Sequence, residues 1–195
     1  SAYIFVFVLL LISFIILIQF SIISIIIGLC SFPIILLYPL MKRFTYWPQL
    51  FLGLTFNWGI IMGWTSITND ISIEPIILYL AAIFWTLGYD TIYGTQDISD
   101  DEVIGVKSTA IKFKNNLGLF VGSCYLTSSV AIVFVMANLK INYSSIFLLF
   151  FVFSLFYQIK ICKTKNPSAC LRAFKLNNIS GILVFISFFL ITNEI

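Results

Sequence analysis

The chain has 195 residues, of which 61% are hydrophobic and 10% charged, with a net charge of +3. A water-soluble domain of this length cannot hide that much apolar side chain, so composition points to an all-α protein embedded in a lipid bilayer, and no nucleic acid is expected as a partner. The sequence contains no histidine, which removes imidazole bases, Ser-His-Asp nucleophiles and histidine-held metals together, and leaves acid–base and metal chemistry to carboxylates, lysines and tyrosines.

Apolar runs long enough to cross a bilayer, about 20 residues each with some tolerance, recur along the chain. Seven are expected, at 2–20, 22–40, 47–67, 74–91, 117–137, 143–162 and 176–192. The chain opens SAYIFVF, without Met and already inside the first run, which reads as an incomplete N-terminus. The first two runs join at Ser21, and Pro33 and Pro39 are expected to kink or end the second.

Next comes YPLMKRFTYWPQ, residues 38–49, dense in aromatics and cations. An interfacial aromatic belt is one reading of it, which Tyr46 and Trp47 fit. On a helix, however, Tyr38 and Lys42 share a face at i, i+4 spacing, and Arg43 lies beside them. In the third run Gly53, Gly59 and Gly63 permit close helix approach, as Gly28 does in the second. Asn57 is a rare polar group there, and such groups turn toward a partner or a cavity rather than lipid. Asp70 and Glu74, in the loop that follows, read as solvated caps.

The long polar stretch is DTIYGTQDISDDEVIGVKSTAIK, residues 90–112, which holds Asp90, Asp97, Asp100, Asp101 and Glu102 out of eight acids in all. If it begins as a helix, at about 100° per residue, Asp90, Asp97 and Asp101 fall within about 40° of one another, with Tyr93 near the same face. Such carboxylates repel unless a cation sits among them. Mg²⁺ takes oxygen ligands and is commonly shared between one or two carboxylates and a substrate phosphate. Gly105 permits a turn, and Lys107, Lys112 and Lys114 follow. A solvated charged loop is the alternative reading. The cysteines, at 30, 124, 162 and 170, form no CxxC pair and read as small apolar fillers.

With seven alternating crossings, Lys42, Arg43, Lys107, Lys112, Lys114, Lys160, Lys163, Lys165, Arg172 and Lys175 fall on one side and only Lys140 on the other. Basic loops stay in the cytoplasm or the mitochondrial matrix. The acidic stretch faces that compartment, in a bacterial inner membrane or a mitochondrial inner membrane.

Residues 38–64, YPLMKRFTYWPQLFLGLTFNWGIIMGW, together with DTIYGTQDISDDEVIGVKSTAIKF, resemble the UbiA-type intramembrane aromatic prenyltransferases, and the first string resembles their 4-hydroxybenzoate branch. The second is similar to the family's second aspartate-rich motif and its IGxKST continuation; FKLNNISGILVF is a weaker match to the entry of the last helix. The resemblance covers essentially the whole chain and implies one domain, 1–195, in a nine-helix fold of which about seven transmembrane helices are visible. The family's first motif, NDxxDxxxD, is missing from the sequence. Asn69–Asp70 continues as ISIE, on the opposite side. The resemblance thus implies that two N-terminal helices are lacking, by truncation, gene splitting or decay, and leaves room for a separate N-terminal portion as partner.

It further implies prenylation of 4-hydroxybenzoate ortho to its phenol by a polyprenyl diphosphate, in ubiquinone synthesis. Mg²⁺ would be held by Asp90, Asp97 and Asp101. Lys42, Arg43 and Lys107, with Asn57 and Ser108, would meet the substrates, and Tyr38 or Tyr93 would face the allylic cation. Asp90 is the expected proton acceptor, with Asp97 and Tyr93 beside it in the catalytic set; the cation for the benzoate carboxylate is not assigned. Other branches of the superfamily, an ion carrier and an inactive remnant remain alternatives.

Overall fold

The computed structural model describes residues 2–139, 143–162 and 166–192. Of the cations used to orient the chain, Lys140, Lys163 and Lys165 lie outside the described residues. Among the described residues every regular element is helical. In chain order these are α1 (Ala2–Leu17), α2 (Ile22–Phe44), α3 (Pro48–Phe56), α4 (Gly59–Thr68), α5 (Ile73–Tyr93), α6 (Ile98–Ile104), α7 (Thr109–Lys112), α8 (Leu117–Leu139), α9 (Ile146–Cys162), α10 (Pro167–Lys175) and α11 (Asn177–Thr192). Among the described residues six segments are long and apolar enough to cross a membrane: Ile22–Phe44, Pro48–Thr68, Ile73–Gln96, Leu117–Leu139, Tyr143–Cys162 and Pro167–Ile191. The seventh expected run is α1, apolar but only 16 residues long, with no buried residue. The chain is an integral membrane protein.

The joint at Ser21 is as expected: its hydroxyl accepts the Ser24 N–H at 3.3 Å and caps α2. Neither Pro33 nor Pro39 ends that helix, which runs on to Phe44. The third run is one crossing built from two helices. At its break Asn57 Nδ2 donates to Gly53 O at 2.9 Å and to Thr86 Oγ1 of α5 at 2.8 Å, while Trp58 Nε1 donates to Ile27 O of α2 at 3.0 Å. Side chains thus hold a backbone interruption that bare lipid would not tolerate. The last crossing is likewise divided, since the basic segment before it forms α10.

The core lies where α5 packs along α8, with α9, α10 and α11 behind. Close approach of α5 and α8 depends on Gly88, where a Cβ would stand 2.5 Å from the Tyr125 ring. Tyr125 is then fixed from behind. Its hydroxyl donates to Gln158 Oε1 at 2.6 Å, and Gln158 Nε2 donates to Ser180 Oγ at 3.2 Å. A buried polar relay of this kind, fully partnered, specifies one packing of α8, α9 and α11. Three of the four cysteines are buried, as fillers should be, and Cys162 and Cys170 place their sulfurs 2.9 Å apart; Cys30 is exposed on α2.

Candidate active site

The polar stretch is not one helix. α5 ends at Tyr93, Gly94–Gln96 makes a 3₁₀ turn, and a separate short helix, α6, carries Asp100 and Asp101. Gly94 is where the chain must pass close to others: a Cβ there would meet Ala110 Cβ at 3.3 Å and Gln49 Nε2 at 3.4 Å. Gly105 then ends α6 in the left-handed region, at φ 80°, which a glycine adopts without strain. The acids are gathered by this fold-back and not by helical periodicity.

Four ties hold the fold-back against the ends of α2, α3 and α5. Lys107 N–H donates to Lys42 O at 2.8 Å, and Lys107 Nζ donates to Phe44 O at 3.3 Å. Thr109 N–H donates to Gln49 Oε1 at 3.0 Å, and the hydroxyls of Thr91 and Thr109 share a buried 2.6 Å hydrogen bond. Ser108 caps α7 by accepting the Ile111 N–H at 3.2 Å.

What results is a cavity of about 120 Å³ lined by Tyr38 and Lys42 of α2, Asp90 and Tyr93 of α5, and Asp97 and Asp101, with Pro48, Gln49 and Gly94 completing the wall. Three carboxylates here face one ammonium. Among the described residues the only ion pair is Lys114 Nζ to Glu102 Oε1, 2.6 Å apart and outside this cavity. Lys42 and the three acids therefore converge without a salt bridge between them, leaving both signs of charge available to a ligand. Burial raises the pKa of Asp101; Lys42 opposes the rise, and Asp97 and Asp100 add to it. Among the described residues no three acids are grouped closely enough to hold a metal ion by themselves. The donor set, hard carboxylate oxygens spread around a small cavity, fits a divalent cation that brings further oxygen ligands with a substrate.

Other candidate residues lie elsewhere. Arg43 is exposed and off the cavity wall. The Lys107 ammonium sits 5.6 Å from the centre of the Tyr46 ring. Ser108 is buried in its capping role. Asn57 lines a second cavity of about 370 Å³ with Trp85, Thr86, Tyr89, Phe174 and Lys175. The two cavities share an aromatic partition. Phe174 stands 4.8 Å from Tyr93 and 5.8 Å from Tyr89, centroid to centroid. Gln49, only 4% exposed, was not singled out in the sequence; its one signal is a polar residue directly after a helix-starting proline.

The sequence matches the UbiA prenyltransferase family over residues 1–188. The chain belongs to that family. Among curated relatives of this UbiA chain, the protein named "4-hydroxybenzoate polyprenyltransferase, mitochondrial" of Dictyostelium discoideum is 42% identical over 168 residues, covering 80% of this chain and 35% of that protein. The protein of the same name from Caenorhabditis elegans is 40% identical over 179 residues, covering 89% of this chain and 49% of that one. The one from Arabidopsis thaliana is 50% identical over 106 residues, covering 54% and 26%. This chain therefore spans about half or less of the length of the curated relatives it matches. The apo structure of a UbiA homolog from Aeropyrum pernix K1 superposes with a TM-score of 0.74, at 17% identity, covering 89% of this chain and 66% of that one. At that identity the likeness establishes the fold.

Proposed function

We propose that the protein to which this chain belongs transfers a polyprenyl group from its diphosphate to the ring of 4-hydroxybenzoate, ortho to the phenol, in ubiquinone synthesis at the mitochondrial inner membrane. The observation that carries this is the cavity in which Asp90, Asp97 and Asp101 face Lys42 without pairing with it, in a UbiA family chain whose relatives bear that activity in their names.

The cavity's own residues divide the work. Lys42 binds the diphosphate as a positive point charge and steadies the negative charge that grows on the bridging oxygen as the allylic C–O bond breaks. Asp97 and Asp101, with Asp90, would hold Mg²⁺, which when bound supplies charge neutralisation to the diphosphate oxygens. Tyr38 and Tyr93 present ring faces to the allylic cation, each interaction worth about 1–2 kcal/mol once desolvated. Apolar helices keep water from quenching that cation. The ring carbon ortho to the phenol then attacks, a C–C bond forms, and the displaced ring proton passes to a carboxylate of the cavity, a role we assign to Asp90 at the end of α5.

The test uses the full-length protein in nanodiscs with labelled 4-hydroxybenzoate and a polyprenyl diphosphate. Label should enter the lipid fraction with Mg²⁺ and stop entering it with excess chelator. Asp97→Asn and Lys42→Met should each lower turnover about 10²- to 10³-fold. Wild-type turnover in either variant would remove that residue's role. Ion flux in vesicles without labelled lipid would favour a carrier instead.

A further inference from the structure

The second cavity contains what a charged aromatic acceptor requires. We propose that it is the subsite for the hydroxybenzoate, and that Lys175, at the end of α10, is the cation that reads the acceptor's carboxylate. The choice of acceptor rests on the prenyl-transfer reading above; the assignment of the subsite rests on the cavity itself.

Its volume, about 370 Å³, lies within the range of about 300–1,000 Å³ usual for small-molecule sites. Four aromatic side chains wall it, Phe56, Trp85, Tyr89 and Phe174. Trp85 and Tyr89 meet edge to face at 6.4 Å, and Tyr89 continues to Phe174 at 5.8 Å, so a flat ring entering among them finds the offset and edge contacts that aromatic pairs prefer. These walls are held in place: Trp85 Nε1 donates to Asn177 Oδ1 at 2.9 Å, and Asn177 Nδ2 donates to Phe174 O at 2.8 Å. Polar recognition is available from Asn57 and Lys175, both in its lining. Asn57 spends its Nδ2 hydrogens on Gly53 O and Thr86 Oγ1, leaving its carbonyl oxygen as the acceptor for a phenol O–H. Lys175 is exposed and, among the described residues, forms no ion pair. The sequence contains no acidic residue between Glu102 and Glu194.

Position adds a third argument. Phe174 packs at 4.8 Å on Tyr93, which lines the acid cavity. A ring held beyond this partition borders the place where the allylic carbon loses its diphosphate, as carbon–carbon bond formation demands. Lys175 is a residue of substrate recognition in this scheme and takes no part in proton transfer.

Equilibrium binding separates this proposal from the turnover reading. The full-length protein, wild type, Lys175→Gln or Lys175→Arg, is placed in phosphatidylcholine nanodiscs and titrated with 4-hydroxybenzoate and with its uncharged methyl ester. Lys175 is exposed, so loss of its ammonium–carboxylate contact, screened by water, should weaken binding of the acid about 2- to 5-fold in Lys175→Gln, leave the ester unchanged, and be largely rescued in Lys175→Arg. In the turnover assay the same change should raise KM for the acid and leave kcat near wild type. Equal losses for acid and ester, no loss for the acid, or no binding of the acid to wild type would each overturn the subsite. Acid-selective binding lost in Lys175→Gln, in a protein that never forms prenylated product, would uphold the subsite and refute prenyl transfer.

Discussion

At Asp101 the chemistry can be followed by pH. Its carboxyl, raised by burial and by Asp97 and Asp100 against the pull of Lys42, keeps its proton to a higher pH in the folded protein than in the unfolded chain. Its contribution to stability is therefore complete below the ordinary aspartate range and is lost as pH rises through the raised native value. A divalent cation among the acids reverses the preference, because it favours the ionised form. The acidic limb of the turnover profile should move to lower pH as Mg²⁺ is increased, and this movement should shrink in Asp101→Asn; an acidic limb indifferent to Mg²⁺ would separate Asp101 from any metal. Residue by residue, what the sequence disclosed followed chemical rarity. Lys42, Asp90, Asp97, Asp101, Tyr38 and Tyr93 stand out in a greasy chain, and all line one cavity. Gln49 and Lys175 did not stand out, since a glutamine beside a proline and a lysine in a basic segment look ordinary until the chain is folded.

Among the helices, α5 carries Asp90 and Tyr93 at its end, and its rotational setting is decided a turn earlier. Gly88 admits the Tyr125 ring so closely that in Gly88→Ala either that ring or α8 itself must move. Such overpacking typically costs about 1–3 kcal/mol. It should lower the melting temperature and reduce turnover together, and a variant as stable as wild type would mean that α8 yields easily. Hydropathy located the crossings well, because length and apolarity are properties of sequence alone. It did not find the break between α3 and α4, nor α10, nor the 3₁₀ turn at Gly94–Gln96. The first and the last depend on partners distant in sequence, Thr86 for Asn57 and Ala110 and Gln49 for Gly94, whereas α10 opens on local signals, the Asn166 cap and Pro167. Periodicity within a segment contains no trace of such partners.

For the molecule as a whole, the fold-back of residues 94–112 and the end of α2 lie at one end of the bundle, bound together by the Lys107–Lys42 backbone hydrogen bond, while Asn69 and Asp70 lie at the other end of α5. On the mitochondrial reading proposed above, the basic segments should face the matrix. In a cysteine-free background, Val103→Cys and Ile71→Cys, both at exposed positions, should react with a membrane-impermeant thiol reagent from opposite sides of sealed inner-membrane vesicles, Val103→Cys from the matrix side. Reaction of both from one side would overturn the order of crossings. The relay Tyr125–Gln158–Ser180 reaches from α11 through α9 to the ring seated against Gly88, so it acts as a bolt that stops α5 from turning about its own axis. Conditional mutants, active in the cold and dead when warmed, should accordingly map to Gln158, a glutamine sealed in the interior that lines neither cavity.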